Sequence, residues 1–211
     1  MDNIASKIAT SIARTLEESI MKKGSATLVV SGGSSPIKIF HHLNELQIQW
    51  SKVTIILGDD RMLDADNIDS NDKLIRENLI INKAEYANYI SLSDPLFKST
   101  QLKFPFDISL LGMGLDGHFA SLFPALLKNS SLFNINAPHE IYLSDIPLGR
   151  PSHKRITMNL SMLLDTHRCI LLVSSESKRR ILDQANDDIS LPLYHLINQN
   201  KIKLEFSDID F

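Results

Sequence analysis

Isoleucine or leucine recurs every fourth residue at Ile4, Ile8, Ile12, Leu16 and Ile20, with mostly polar residues between them. That spacing lays one apolar stripe along a helix. Lys22, Lys23 and Gly24 end the pattern, since cations suit a last helical turn and glycine the residue beyond it. Short, mostly apolar runs follow at Ala26–Val30, Val53–Leu57, 107–111 and 169–173. Runs of this kind predict strands covered on both faces. Weaker candidates lie at 89–92, 141–144 and 156–158, and the alternation over 202–206 suits an edge strand. Helical spacing returns between them, at Ile37, Phe40, Leu43 and Leu46, over 71–80, through Leu160, Leu163 and Leu164, and over 176–185.

Strands alternating with helices predict an α/β fold, a mainly parallel sheet flanked by helices in the Rossmann-like manner. No fixed-period repeat or linker-like stretch interrupts it, so 1–211 reads as a single α/β domain. Ligands of open parallel sheets bind beyond the C-terminal strand ends. Three loops at such ends carry candidate chemistry.

The first is Ser31-Gly32-Gly33-Ser34-Ser35-Pro36. Glycines allow close backbone approach, hydroxyls add donors, and a helix N-terminus suits a phosphate. A tight turn with a serine cap is the plainer alternative. The loop lacks both the Walker ending and the dinucleotide Gly-x-Gly-x-x-Gly spacing. The second is Asp59-Asp60-Arg61, able to place an acid, a base or a bidentate clamp, or to form a solvated charged turn. The third runs from Leu111 to Pro124, where His118 follows a glycine turn with Asp116 close by. A histidine so placed is a candidate general base. Late in the chain, Arg155 precedes Ile156-Thr157 after Pro151, and Lys178 opens a predicted helix just after the 169–173 strand. Positive charge at a helix start works against the dipole, which points Lys178 towards an anion; a solvated Ser-Lys-Arg-Arg turn with Arg179 and Arg180 is the plainer alternative.

Composition narrows the picture. Lys and Arg number 22 against 25 Asp and Glu, a formal charge of −3. That argues against a nucleic-acid binder, which carries a basic excess. No apolar run is long enough to span a membrane. The first helix lacks the apolar core and cleavage site of a signal peptide. The single cysteine, Cys169, has no internal disulfide partner and reads as a reduced core residue. Cytoplasm is the expected compartment. No zinc-type cysteine pair occurs, and the sequence allows a monomer without fixing the oligomeric state.

Taken in order, these segments resemble the 6-phosphogluconolactonase family. The family's Ser-Gly-Gly-Ser-Thr-Pro loop is similar to Ser31 through Pro36. Its Asp-Glu-Arg segment and Ser-Asn helix start are similar to Asp59-Asp60-Arg61 and Ser70-Asn71. Its Gly-Met-Gly-x-Asp-Gly-His-x-Ala-Ser-Leu-Phe-Pro block is matched in full by Gly112 through Pro124. Pro151, Arg155-Ile156-Thr157, Lys178 and Leu191-Pro192 resemble later family positions. The chain departs at Asp60, where the family has Glu, at Ser175, where a glycine is expected, and in the tail 198–211, which lacks a tryptophan.

The resemblance implies the fold shared by sugar-phosphate isomerases and coenzyme A transferases. It implies hydrolysis of a small-molecule phosphosugar lactone, 6-phospho-D-glucono-1,5-lactone, without metal or organic cofactor. The implied catalytic residues are His118, Asp116, Asp60 and Arg61. The implied phosphate residues are Gly32, Gly33, Ser34, Ser35, Arg155 and Lys178. A glucosamine-6-phosphate deaminase-like enzyme and a non-catalytic sugar-phosphate-binding protein are the rival readings. Arg61 and Ser121-Leu122-Phe123-Pro124 favour the lactonase over the deaminase.

Overall fold

The computed structural model describes residues 2–211. In chain order the regular elements are α1 (Asp2–Lys23), β1 (Ala26–Val30), α2 (Ile37–Leu43), β2 (Val53–Leu57), β3 (Asp59–Arg61), α3 (Asn71–Asn78) and β4 (Asn88–Ser91). They continue with β5 (Phe106–Leu111), β6 (Ile141–Leu143), β7 (Arg155–Met158), α4 (Leu160–Leu163), β8 (Thr166–Leu171), α5 (Glu176–Gln184), α6 (Pro192–Ile197) and β9 (Leu204–Phe206).

Six strands form one parallel sheet in the order β4-β2-β1-β5-β8-β9. Alternate residues of each strand feed two cores. Leu28, Val30, Ile55 and Ile108 meet Ile8, Ile12 and Leu16 of α1 and Phe40 of α2. Val29, Ile56, Leu111 and Leu171 meet Leu160, Leu182, Leu193 and Phe119 on the other face. Both faces are apolar, which is why these strands read as runs and not as alternation. Gly24, at φ +82°, ends α1 with its N–H on the Ile20 carbonyl, as the terminal lysines and glycine predict. Among the described residues no helix is long and apolar enough to cross a membrane.

Three expectations need correction. The helix after Pro36 ends at Leu43, so Leu46 lies in the turn beyond. The strand expected over 169–173 is Thr166–Leu171, extended backwards because Arg168 is held by Glu205 of β9 at 2.6 Å. Asp59–Arg61, expected as a loop, is strand β3 of a second sheet, antiparallel in the order β3-β7-β6. Gly58 makes the change of sheet. Its N–H donates to Val30 O at 2.9 Å, and its carbonyl accepts from Met158 N at 3.0 Å.

Asp60 also departs from expectation. Its side chain does not face a cleft and is 0% exposed. One carboxylate oxygen accepts from the N–H groups of Arg61 (2.7 Å) and Asn71 (2.6 Å). The other accepts from Asp72 N (3.2 Å), Ser93 Oγ (3.0 Å) and Ser70 Oγ (3.4 Å). Asp60 thus caps the start of α3, assisted by Ser70, whose own Oγ accepts from Lys73 N. Burial pushes its carboxyl above the ordinary range, only partly offset by the donated hydrogen bonds. An amide in its place would turn an NH2 group towards backbone donors. Asp60→Asn is therefore expected to destabilise the chain by about 2 kcal/mol or more. Urea unfolding checks this, and a wild-type midpoint would remove the capping role.

Candidate active site

A cleft of about 230 Å³ opens beyond the C-terminal ends of β1 and β5. It brings together Gly32, Gly33, Ser34, Ser35, Arg61, His118, Arg155 and Lys178, which come from distant parts of the chain. Asp60 is not part of its wall; Asp59 is. Asp116 reaches it through His118.

The glycine-serine loop is shaped by its neighbours. A Cβ on Gly32 would lie 2.1 Å from Asn71 Oδ1, so no side chain fits there. Gly33 takes φ +87°, a conformation that favours glycine. No side chain caps α2, so the serine-cap alternative is not what the loop does. Instead Ser35 Oγ accepts from Lys178 Nζ at 2.7 Å and lies 3.1 Å from Ser174 Oγ. Lys178 sits in the first turn of α5, where Ser175 is the cap and accepts from Lys178 N at 3.3 Å. Ser175, the departure from the family's glycine, therefore serves the helix and lies outside the cleft wall. Burial lowers the Lys178 ammonium below the ordinary lysine range, and among the described residues no carboxylate pairs with it.

His118 is placed by glycines. The Gly114 N–H donates to His118 O at 2.8 Å, and Gly117 takes φ +76°. A Cβ on Gly114 would fall 2.2 Å from His118 Cε1. The imidazole stacks on Phe123 with centroids 4.2 Å apart, and its Nδ1 meets Asp116 Oδ1. A carboxylate can only accept, so Nδ1 carries the proton and Nε2 of the neutral ring is left as a base. Burial works to raise the Asp116 carboxyl, but the contact with His118 outweighs it and holds the carboxyl below the ordinary range.

Asp59 pins the same loop from below. Its Oδ2 accepts from Ser121 Oγ at 2.7 Å, while Oδ1 is buried without a partner. Next to Ser121, Ala120 holds φ 45°, rare outside glycine. Arg61 reaches the cleft with Nη1 donating to Asp69 O and Nε buried without a partner. Asp69 is in turn met by His153 Nε2 at 3.1 Å.

Arg155 is 3% exposed and differs from its expected role beside Lys178. Its Nε and Nη2 donate to Leu148 O at 3.0 and 2.8 Å, and Nη2 to Pro151 O at 3.0 Å. The guanidinium lies 5.2 Å from the Phe123 ring, at the His118 end of the cleft. Burial, and then the Arg61 charge, bring its pKa down to about 10.

Arg150 is a cleft residue that sequence reasoning did not name; Asp59 and Asn71 also line the cleft but were named only as members of motifs, with no site role of their own. Strand alternation would have separated Asp59 from Asp60 had 59–61 been read as a strand. No group of three His, Cys, Asp or Glu side chains placed to hold a metal ion occurs among the described residues.

The chain matches the family model for glucosamine-6-phosphate isomerases/6-phosphogluconolactonase over residues 1–204. It is 34% identical over 194 residues to a 6-phosphogluconolactonase of Neisseria meningitidis, covering 86% of this chain and 83% of that one. A 6-phosphogluconolactonase of Rhizobium meliloti is 29% identical over 93% of this chain and 90% of its own. The crystal structure of a 6-phosphogluconolactonase from Shewanella baltica superposes with a TM-score of 0.86 at 32% identity, over 97% of this chain and 92% of that one. A monomeric glucosamine-6-phosphate deaminase, at 17% identity and TM-score 0.72, over 100% of this chain and 96% of that one, shares the fold.

The close packing of Gly114 against the imidazole makes a structural prediction. Gly114→Ala should displace the His118 ring and break its contact with Asp116. Nitrogen-15 spectra of the imidazole should then lose the Nδ1–H signature of the paired form. An unchanged Nδ1 resonance would show that the ring does not depend on this glycine.

Proposed function

The chain belongs to the glucosamine-6-phosphate isomerase/6-phosphogluconolactonase family, and we propose that it hydrolyses 6-phospho-D-glucono-1,5-lactone to 6-phospho-D-gluconate, the second step of the oxidative pentose phosphate pathway. One observation carries the reading. An imidazole oriented by Asp116 through Nδ1 shares a cleft with a glycine-serine loop bridged to a buried lysine.

A lactone is an ester already poised for attack, so a water can serve as nucleophile. His118 Nε2 takes a proton from that water as its oxygen bonds to C1. The carbonyl electrons move to oxygen, and Arg61 faces the cleft as a donor for the oxyanion. The oxyanion then reforms the carbonyl, the bond from C1 to the ring oxygen breaks, and His118 returns its proton to that oxygen. Asp116 keeps the ring in the required tautomer and stabilises the imidazolium between the two steps. Asp59 and Asp60 act only by holding the chain that presents these groups.

The phosphate is remote from the breaking bond. Ser34, Ser35, the glycine amides and Lys178 hold it, and that binding orients the ring for attack. Every residue named comes from one chain, so a monomer suffices. We place the reaction in the cytoplasm, because a phosphorylated sugar does not cross a bilayer unaided.

The activity is tested by making the lactone in situ from glucose 6-phosphate and following its loss above the spontaneous rate. The wild-type chain should accelerate it, and His118→Ala should lower kcat by roughly 10²–10⁴-fold. Near-wild-type turnover by that variant would end the base assignment. No acceleration by a folded wild type, with ammonia released from glucosamine 6-phosphate instead, would replace the lactonase by the deaminase.

Lys178 gives a pH prediction. Its lowered pKa means that its charge is lost at lower pH than that of a free lysine. Binding of 6-phosphogluconate should weaken as pH rises through that range, and Lys178→Arg should retain binding there because arginine stays charged. Calorimetric titration between about pH 7 and 10 reads this, since free lysine titrates near 10.4. Affinity that is flat over the range in wild type would remove Lys178 from the phosphate.

A further inference from the structure

Arg150 lines the same cleft, is exposed, and has no hydrogen-bond or ion-pair partner among the described residues. The other three cations of the cleft each already have a partner within the protein. Arg61 donates to Asp69 O, Arg155 to the carbonyls of Leu148 and Pro151, and Lys178 to Ser35 Oγ. We propose that Arg150 is a specificity-determining residue whose free guanidinium grips the phosphate of the bound sugar phosphate, and that buried Arg155 is the positioning residue that delivers it. This rests on the reading of the cleft as a sugar-phosphate lactonase site.

The turn that carries Arg150 is built for presentation. Its base is closed by a reciprocal backbone pair, Leu148 N to His153 O at 2.8 Å and His153 N to Leu148 O at 3.3 Å. From inside, Arg155 binds the carbonyls of Leu148 and Pro151, which lie on either side of Gly149 and Arg150. Gly149 takes φ +78°, and a Cβ there would meet Arg155 Nη2 at 2.6 Å and Phe123 Cζ at 2.8 Å. The backbone therefore lies directly on the Arg155 guanidinium and the Phe123 ring. The turn is thus held at its base and from within, while the Arg150 side chain has no partner among the described residues.

Charge explains what it waits for. Asp59 is the one carboxylate in the cleft wall among the described residues, and it is buried against Ser121. Arg61 and Arg155 already repel one another across the site. A further exposed cation is solvated while the cleft is empty and adds to its attraction for an anion. A phosphate dianion offers three oxygens to a planar guanidinium fork, the geometry in which arginine binds best. It is also present in the ground state, whereas the oxyanion exists only in passing. The turn rests on Phe123 at the His118 end, so its long exposed side chain must extend over the small shared cleft towards Ser35 and Lys178 and be ordered there on binding, which suits an anion held throughout the reaction. The effect therefore belongs in KM.

Steady-state kinetics on Arg150→Gln, Arg150→Lys, Arg155→Lys and the double variant Arg150→Gln/Arg155→Lys test the proposal, with calorimetric binding of 6-phosphogluconate alongside. Arg150→Gln should raise KM and weaken 6-phosphogluconate binding by about tenfold, as the loss of one charge-assisted contact implies, with kcat little changed. Arg150→Lys should recover part of the loss. Arg155→Lys should raise KM by a similar factor, and the double variant should be no worse than either alone, because both remove one interaction. A wild-type KM in Arg150→Gln, or a fall in kcat at unchanged KM, would overturn the phosphate role. Additive losses in the double variant would overturn the positioning role of Arg155. Arg150 is exposed, so its variants decide the first question even if Arg155→Lys does not fold. Failure of the wild type to hydrolyse the lactone would instead refute the lactonase reading, and binding of 6-phosphogluconate would still report on Arg150.

Discussion

Two adjacent carboxylates on a three-residue strand hold this molecule's working parts together. β2 belongs to the parallel sheet, and one residue later the chain enters the antiparallel one. Because successive side chains on a strand point to opposite faces, Asp59 and Asp60 are sent in opposite directions. Asp60 gathers the N-terminus of α3 and Ser93 from beyond β4. Asp59 takes the Ser121 hydroxyl of the loop that carries His118. The sheet switch at Gly58 thereby fixes three otherwise independent segments against one point. Breaking either contact leaves a buried carboxylate short of donors, which costs more than the hydrogen bond itself contributes.

Much of this arrangement is legible in the chain. The parallel strands announce themselves because each is covered on both faces, and α1 because its stripe faces one core. His118 and Asp116 are legible because the glycines around them have no packing reason visible in the sequence; the structure shows Gly114 making room for the imidazole. β3 is illegible for a physical reason. Its three residues, Asp59, Asp60 and Arg61, are all charged, and only pairing with β7 makes them a strand. With the strand unread, the two carboxylates could not be told apart. α6 was missed although Pro192 at its first turn and buried Leu193 and Leu196 carry a short helical signal. Arg155 and Arg150 differ in burial, and no local pattern encodes that, since burial of Arg155 depends on where Leu148 and Phe123 fold.

On the proposed function, the cleft separates two electrostatic tasks. At the His118 end, charge appears only during reaction, so the groups there are oriented in advance. Asp116 fixes the tautomer, Phe123 fixes the ring plane, and Asp69 fixes Arg61. Such preorganisation avoids reorganisation at the moment of attack. At the Ser35–Lys178 end, charge arrives with the ligand, and the groups are correspondingly loosely engaged. Lys178 rests on a neutral hydroxyl, a partner that a dianion displaces readily.

The surroundings of Arg155 at the His118 end explain why a buried cation is tolerated there. Desolvation opposes its charge, yet three carbonyl contacts and the face of Phe123 compensate locally. The same Phe123 ring stacks on the His118 imidazole. The Arg150 turn and His118 thus share the Phe123 ring, and the turn also lies on the Arg155 guanidinium. Rigid packing on that ring fixes the Arg150 turn and the plane of His118 before any ligand arrives. On the proposed function, binding of the anion and alignment of the imidazole are therefore both prepared in advance by the same buried ring, and neither needs a moving part.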